Sequence, residues 1–455
     1  MDRVDPIPVP AAPRTAEHTP GVIDPAIWPL GTGVDRDGHL SVGGADVVAL
    51  ADRLGTPLYL YDAATIRDAY RRYIGAFRGA RPVRVSYAIK ACALRGVAGL
   101  LAHAGADVSA SSLGELLAAK RAGFAMARAQ LHGNAKTDDE LRAALRLGVG
   151  RIVIDGADEI ERLGRLVARR SSRAGAQPVW LRVSPGIGAD THPHLQTGLL
   201  DSKFGAPIAG GDALAQCRAI VATKNLRFVG IHAHLGTQLH EAERYRELAE
   251  ALASLAGEIS AATGTALREI AVGGGLAIPL RSGDPVLDLS TYAREVSGPI
   301  RSDTRLRKAT LYLEPGRSLV GRAGVAAYRV VGTKRVAGVR TFVSVDGGMG
   351  DNIRPALYGA AYTAVLADRA AAAPAEHVAI AGKYCESGDL LIRDVALPTA
   401  EPGEVLAMPA AGAYSVAMAS NYNHHPRPAV ALIQNGRARV IRRRETHADI
   451  WRLER

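Results

Sequence analysis

The chain has 455 residues, 47% of them hydrophobic and 22% charged, which excludes a disordered protein and supports at least one large core. Its three cysteines, Cys92, Cys217 and Cys385, exclude a disulfide-stapled secreted scaffold, and without a Cys-x-x-Cys pair no structural zinc site is expected. The net charge of +11 is dispersed and mostly arginine, only 5% of residues are aromatic, and no apolar run approaches the roughly 20 residues of a membrane span; neither nucleic acid nor membrane is an expected partner.

Residues 1–27 are rich in Pro and Ala and read as a disordered leader. Short strands are expected at 28–30 and 38–42, within a segment 28–56 that has no place in the architecture that follows. From about residue 57 the pattern changes. Apolar runs at 83–88, 106–109, 129–132, 151–154, 179–183, 227–232, 269–272 and 310–313 alternate with amphipathic stretches at 112–122, 138–147, 157–170 and 241–263. Eight strands alternating with helices predict an α/β fold, a (β/α)8 TIM-type barrel over 57–322. A doubly wound open sheet is the weaker reading, because no Gly-x-Gly-x-x-Gly follows the first strand. Beyond it, runs at 325–331, 341–345, 377–381, 404–408, 429–434 and 437–443 predict strands, with helical pieces near 355–362 and 412–419. Residues 323–455 are therefore expected to form a separate β-rich domain, a β-barrel or sandwich joined by the N-terminal strands of 28–56.

Barrel chemistry sits at the C-terminal ends of the strands. The first strand ends at Lys90, where an apolar setting would favour a nucleophilic amine. A lysine snorkelling to the rim is the competing structural reading. The sixth runs through His232 and His234, which alternation places on one side, as ligands of a metal or as a flat imidazole against a ring. The seventh enters Gly273-Gly274-Gly275, whose backbone N–H groups can approach a phosphate closely. The eighth ends in Glu314-Pro315-Gly316-Arg317, an acid suited to a protonated ring nitrogen and an arginine suited to a carboxylate or phosphate. Together these parts point to a pyridoxal phosphate site.

The chain resembles the barrel-type pyridoxal-phosphate decarboxylases, and within them the diaminopimelate branch, from about Trp28 to Trp451. The matching segments include Ser86-Tyr87-Ala88-Ile89-Lys90-Ala91, Thr191-His192 through Thr197-Gly198 to Asp201-Ser202-Lys203-Phe204-Gly205, and His234-Leu235-Gly236-Thr237-Gln238. They continue with Arg354-Pro355-Ala356-Leu357-Tyr358, Cys385-Glu386-Ser387-Gly388-Asp389 and Met418-Ala419-Ser420-Asn421-Tyr422-Asn423. The resemblance implies decarboxylation of meso-2,6-diaminopimelate to L-lysine and carbon dioxide, the last step of lysine biosynthesis, in a cytoplasmic homodimer with an active site shared across subunits. It implies that Lys90 binds pyridoxal 5'-phosphate covalently, His234 stacks on its ring, and Glu314 keeps its nitrogen protonated. Gly273, Gly274, Gly275 and Tyr414 hold the phosphate. Arg317, Arg354 and Tyr358 bind the substrate's distal carboxylate end, with Tyr414 also lining that site. Cys385 and Glu386 reach in from the partner subunit, with Cys385 the candidate acid that reprotonates Cα. Cys217 is expected in the core. Departures from the family pattern are Cys92 where Asn is usual, Thr237 where Ser is usual, and the run from Asp107 to Glu115; they bear on the cofactor pocket.

Three rivals are distinguished by the same residues. An ornithine or arginine decarboxylase has no distal carboxylate for Arg354 and Tyr358 to meet. An amino-acid racemase favours a less acidic partner than Glu314 at the ring nitrogen. A non-catalytic pyridoxal-phosphate-binding protein lacks both the second domain and a Cys-Glu pair.

Overall fold

The computed structural model of the chain describes residues 23–79, 82–170, 175–188 and 202–454, and they divide into two compact units. One is built from Tyr70–Ala277 and Val286–Gly316, the other from residues up to Ala69 together with Ile278–Pro285 and the described residues after Gly316.

The first unit is a closed parallel barrel. Its eight strands are Val83–Ala88, Asp107–Ala110, Ala129–Leu131, Arg151–Ile154, Gln177–Ser184, Leu226–His232, Glu269–Ala271 and Thr310–Leu313. Each pairs in parallel with the next, and the eighth returns to the first through Leu311 opposite Val83. A two-residue strand, Ala206–Pro207, extends the ladder beside the end of the fifth. The strands are apolar on both faces because helices cover the outside and side chains fill the inside. Val153, Trp180, Val229, Ala271 and Tyr312 form the interior cluster. Around it, Arg151 of the fourth strand grips Glu269 of the seventh at 2.5 and 3.0 Å, and the Trp180 indole N–H donates to the same carboxylate at 2.7 Å. Arg84 and Arg128 both pair with the buried Asp107. The barrel is thus a packed plug, with its buried charges matched by bidentate arginines.

The covering helices follow local rules. Thr137 and Glu140 form a reciprocal capping box at the start of Asp138–Leu147, which Gly148 closes at φ 71°. Helices Ala242–Thr263 and Leu289–Ser302 meet through Tyr245 and Tyr292, edge to face at 4.7 Å.

The second unit is a mixed β structure. Its main sheet runs Leu390–Leu397, Glu376–Ala381, Arg340–Val345, Gly324–Val336, Leu58–Asp62, Ala429–Gln434 and Arg437–Arg442. The thirteen-residue strand Gly324–Val336 carries a bulge between Val330 and Gly332. Before that bulge it pairs with Val405–Met408 and Leu58–Asp62, and from Val330 onward, across the bulge, with Arg340–Val345. Strand Leu58–Asp62, which lies inside the segment expected to form the barrel, is central to this sheet instead. Ile23, Ile27 and Trp28 are buried in this unit's core with Leu40, Leu58, Val325 and Ile433, so packing among the described residues begins at Ile23. Residues 28–30 form a turn, not the expected strand: Ile27 and Trp28 both donate to the Asp24 carbonyl, and Gly31 sits at φ 68°. The expected helix at 412–419 is likewise irregular, with Tyr414 at φ 61°.

Candidate active site

The eighth barrel strand delivers Glu314 into the barrel end, where it is 7% exposed. Its two oxygens are divided between two histidines. His132, from the end of the third strand, donates Nε2–H to Oε1 at 2.8 Å, and His232, closing the sixth strand, donates Nε2–H to Oε2 at 2.9 Å. The imidazoles meet edge to face at 4.7 Å. Three strands that are not neighbours in the barrel thus converge on one carboxylate. Burial by itself would raise the Glu314 carboxyl, but the two imidazoles facing it hold it well below the usual carboxylate range. Burial pushes His232 down to about 4, so its bond to Glu314 is made by a neutral ring. The Nδ1 of His232 is buried without a hydrogen-bond partner among the described residues.

Beside the carboxylate lies the glycine turn. Gly273 and Gly275 adopt φ 64° and 103°, in the left-handed region that favours glycine. A Cβ at Gly273 would meet His234 Nδ1 at 2.6 Å, one at Gly274 the Glu314 carbonyl, and one at Gly275 the Gly236 carbonyl. No side chain fits at any of the three. The Gly274 N–H donates to His234 Nδ1 at 3.3 Å, and the Glu314 N–H to the Gly273 carbonyl at 2.7 Å, so turn, imidazole and acid are tied together. Burial and the nearby Lys90 ammonium hold the His234 imidazole well below its ordinary value, hence neutral.

Lys90 sits in a single helical turn, Ile89–Ala91, directly after the first strand. It is exposed, as the rim reading expected, and not enclosed by apolar side chains. Glu115 feels its charge from the N-terminal turn of helix Leu113–Ala122. A second polar layer escaped the sequence reading: Lys136 and Glu159 form an almost fully buried ion pair at 2.9 Å, and Arg182 approaches Asp155 at 3.9 Å while covering the Phe204 ring at 4.2 Å. His132 was missed too, although it follows Gln130 by two residues and so shares its face of the strand. Of the segment from Thr191 to Gly205, residues 191–201 lie outside the described residues.

The other predicted residues belong to the β unit. Arg317 opens helix Arg317–Val320 and Arg354 opens Arg354–Tyr358, and they are 5% and 3% exposed. Their guanidinium carbons lie 4.8 and 5.8 Å from the Tyr414 ring, and Arg354 lies 5.4 Å from that of Tyr358. Burial and the neighbouring Arg354 push Arg317 down to about 10. Arg354 pairs with no carboxylate among the described residues, and its Nε is buried without a hydrogen-bond partner. Two like charges are thus buried side by side, and Arg354 has no carboxylate counter-ion among the described residues, an arrangement that could hold an anion. Cys385 and Glu386 are exposed on a loop that Asp389 braces through the N–H groups of Met349 and Tyr384, and the Cys385 N–H donates to Asn423 Oδ1 at 2.9 Å. Cys92 and Cys217 are buried, and burial pushes the Cys217 thiol up to about 12, which leaves it inert.

Comparison with known proteins agrees with this geometry. A family described as "Pyridoxal-dependent decarboxylase, pyridoxal binding domain" matches residues 63–321. The chain is 43% identical to a diaminopimelate decarboxylase of Actinosynnema pretiosum subsp. auranticum, with 95% of this chain and 96% of the relative covered. It is 38% identical to that of Bacillus subtilis (strain 168), with 92% and 96% covered. A crystal structure of diaminopimelate decarboxylase from M. jannaschii in complex with L-lysine superposes with a TM-score of 0.86 at 31% identity, covering 93% of this chain and 97% of that one. A lysine/ornithine decarboxylase from Vibrio vulnificus, at 20% identity and a TM-score of 0.73, shares the fold. With an ionised acid, a neutral imidazole and a side-chain-free glycine turn assembled at the strand ends of a barrel that the family profile spans, the chain belongs to the pyridoxal-dependent decarboxylases.

Proposed function

We propose that this chain catalyses the pyridoxal-phosphate-dependent decarboxylation of meso-2,6-diaminopimelate to L-lysine and carbon dioxide. The residues at the barrel end suit the cofactor: an acid held ionised, a glycine turn that excludes every Cβ, and a lysine amine open to solvent. When bound, the cofactor supplies an electron sink for the pair left behind as the α-carboxylate departs. The protein's own residues do the rest. Lys90 would tether the cofactor, His234 would pack on its ring, and Glu314 would hold a proton at the ring nitrogen. Gly273, Gly274 and Gly275, with Tyr414, would hold the phosphate. Arg317, Arg354 and Tyr358 bind the distal carboxylate. The thiol of Cys385, supplied with Glu386 by the partner subunit of a homodimer, delivers the proton that replaces carbon dioxide on Cα. Both residues are exposed in the single chain, as a partner-directed pair requires. Among the described residues no helix is long and apolar enough to cross a membrane. None of the three cysteines forms a disulfide among the described residues, which suits a reducing cytoplasm.

The observation that carries the substrate is the buried Arg354 guanidinium without a carboxylate partner. Diaminopimelate, ornithine and arginine offered in parallel should give carbon dioxide from the first alone. Arg354→Gln should raise the KM for diaminopimelate by about 10- to 100-fold, the worth of one charge-assisted contact. Turnover of ornithine or arginine without diaminopimelate would defeat the assignment.

A further inference from the structure

A buried carboxylate is costly unless it is paired, and the usual partner is an arginine or lysine. Glu314 has a different arrangement: among the described residues its ion-pair partners are His132 and His232, one to each oxygen. A carboxylate has about four lone-pair positions, so two donated bonds leave it able to accept a third. His232, being neutral, leaves the anion's charge in place where a guanidinium would largely cancel it. The two histidines are not equivalent in the fold. His232 ends the strand that leads to His234, whereas His132 arrives from the third strand, 182 residues before Glu314 in sequence, and is the donor to Oε1.

We propose that His132 is a positioning residue that sets where a proton rests: its Nε2–H, aimed at Oε1 of Glu314, keeps the carboxylate from taking the proton it shares with the cofactor's ring nitrogen. The inference rests on the cofactor assignment above. Its physical basis is a competition. The shared proton resides on whichever group binds it more strongly. Each hydrogen bond donated to the carboxylate stabilises the anion and drives the proton to nitrogen. Without His132, burial favours the neutral acid, the proton moves to Glu314, and the ring nitrogen becomes uncharged.

The test reconstitutes wild type, His132→Phe, His132→Gln and Glu314→Ala with pyridoxal phosphate carrying an isotopically labelled ring nitrogen and reads its NMR shift. Wild type and His132→Gln, whose amide can still donate, should show a protonated ring, while His132→Phe should move toward the unprotonated position. In parallel, affinity is measured for the cofactor and for its analogue with CH in place of the ring nitrogen. His132→Phe should weaken binding of the first by about tenfold, the worth of one hydrogen bond to a charged group, and leave the second unchanged. In the Glu314→Ala background the same substitution should add nothing. An unchanged shift in His132→Phe, or equal weakening for both compounds, overturns the proposal. If His132→Phe does not fold, His132→Ala removes the donor without adding bulk and carries the same comparisons. Identical visible spectra for wild type and Lys90→Ala would overturn the cofactor assignment itself, a failure distinct from the others.

Discussion

Glu314 and His232 are buried against each other, and their titration is coupled to folding. In the folded chain His232 stays neutral until about pH 4, whereas an exposed imidazole takes up a proton near 6.5. Between those values the unfolded chain binds a proton that the folded chain refuses, so stability falls as pH falls from about 6.5 to about 4. Glu314 acts in the same direction: its depressed carboxyl contributes stability above the ordinary carboxylate range, and that contribution is lost as pH falls through the folded value. The unfolding midpoint of the apo-protein should therefore drop between pH 7 and pH 5, and His232→Gln should flatten the drop. A midpoint of His232→Gln with the same slope as wild type would mean that another group titrates.

Among the elements, the glycine turn after the seventh strand admits no side chain at any of its three positions. Gly275 combines φ 103° with a Cβ direction that runs into the Gly236 carbonyl, whereas Gly283 has φ 83° with open space around its Cβ position. Gly275→Ala should cost about 2 kcal/mol or more in stability and abolish tight cofactor binding, while Gly283→Ala should cost about 1 kcal/mol for the backbone strain alone. Thermal midpoints together with cofactor titrations separate the two. Equal effects would show that backbone conformation, and not the close approach at the site, decides the cost. Other elements were legible locally for equally physical reasons. The capping box at Thr137 and Glu140 and the glycine at 148 mark a helix within a few residues of sequence. The irregular stretch around Tyr414 carried no such signal, because its backbone is set by packing, with Gly412 wedged against the Val320 carbonyl.

For the whole molecule, the exposed Cys385 and Glu386 and the barrel residues lead to a test of assembly. If each site draws Lys90 from one chain and Cys385 from its partner, mixing inactive Lys90→Ala and Cys385→Ala chains should restore about a quarter of wild-type activity, since half of the dimers are mixed and each has one intact site. No restoration after subunit exchange would place both residues in the same chain's site. The barrel itself was readable from sequence because alternation in strands and helices is local, and so were Lys90, the three glycines and Glu314, which fall at the ends of apolar runs. Three things were decided only by the tertiary structure. Leu58–Asp62 is apolar on both faces, so its pattern says that it is buried but not in which sheet, and long-range pairing with Gly324–Val336 and Ala429–Gln434 settled that. Arg317 and Arg354 lie buried side by side against Tyr414, a juxtaposition that no spacing in sequence encodes. Closure of the barrel brought His132 onto Glu314; hydrogen bonds between distant strand ends depend on that closure, and periodicity along one strand cannot report which residues of another it will face.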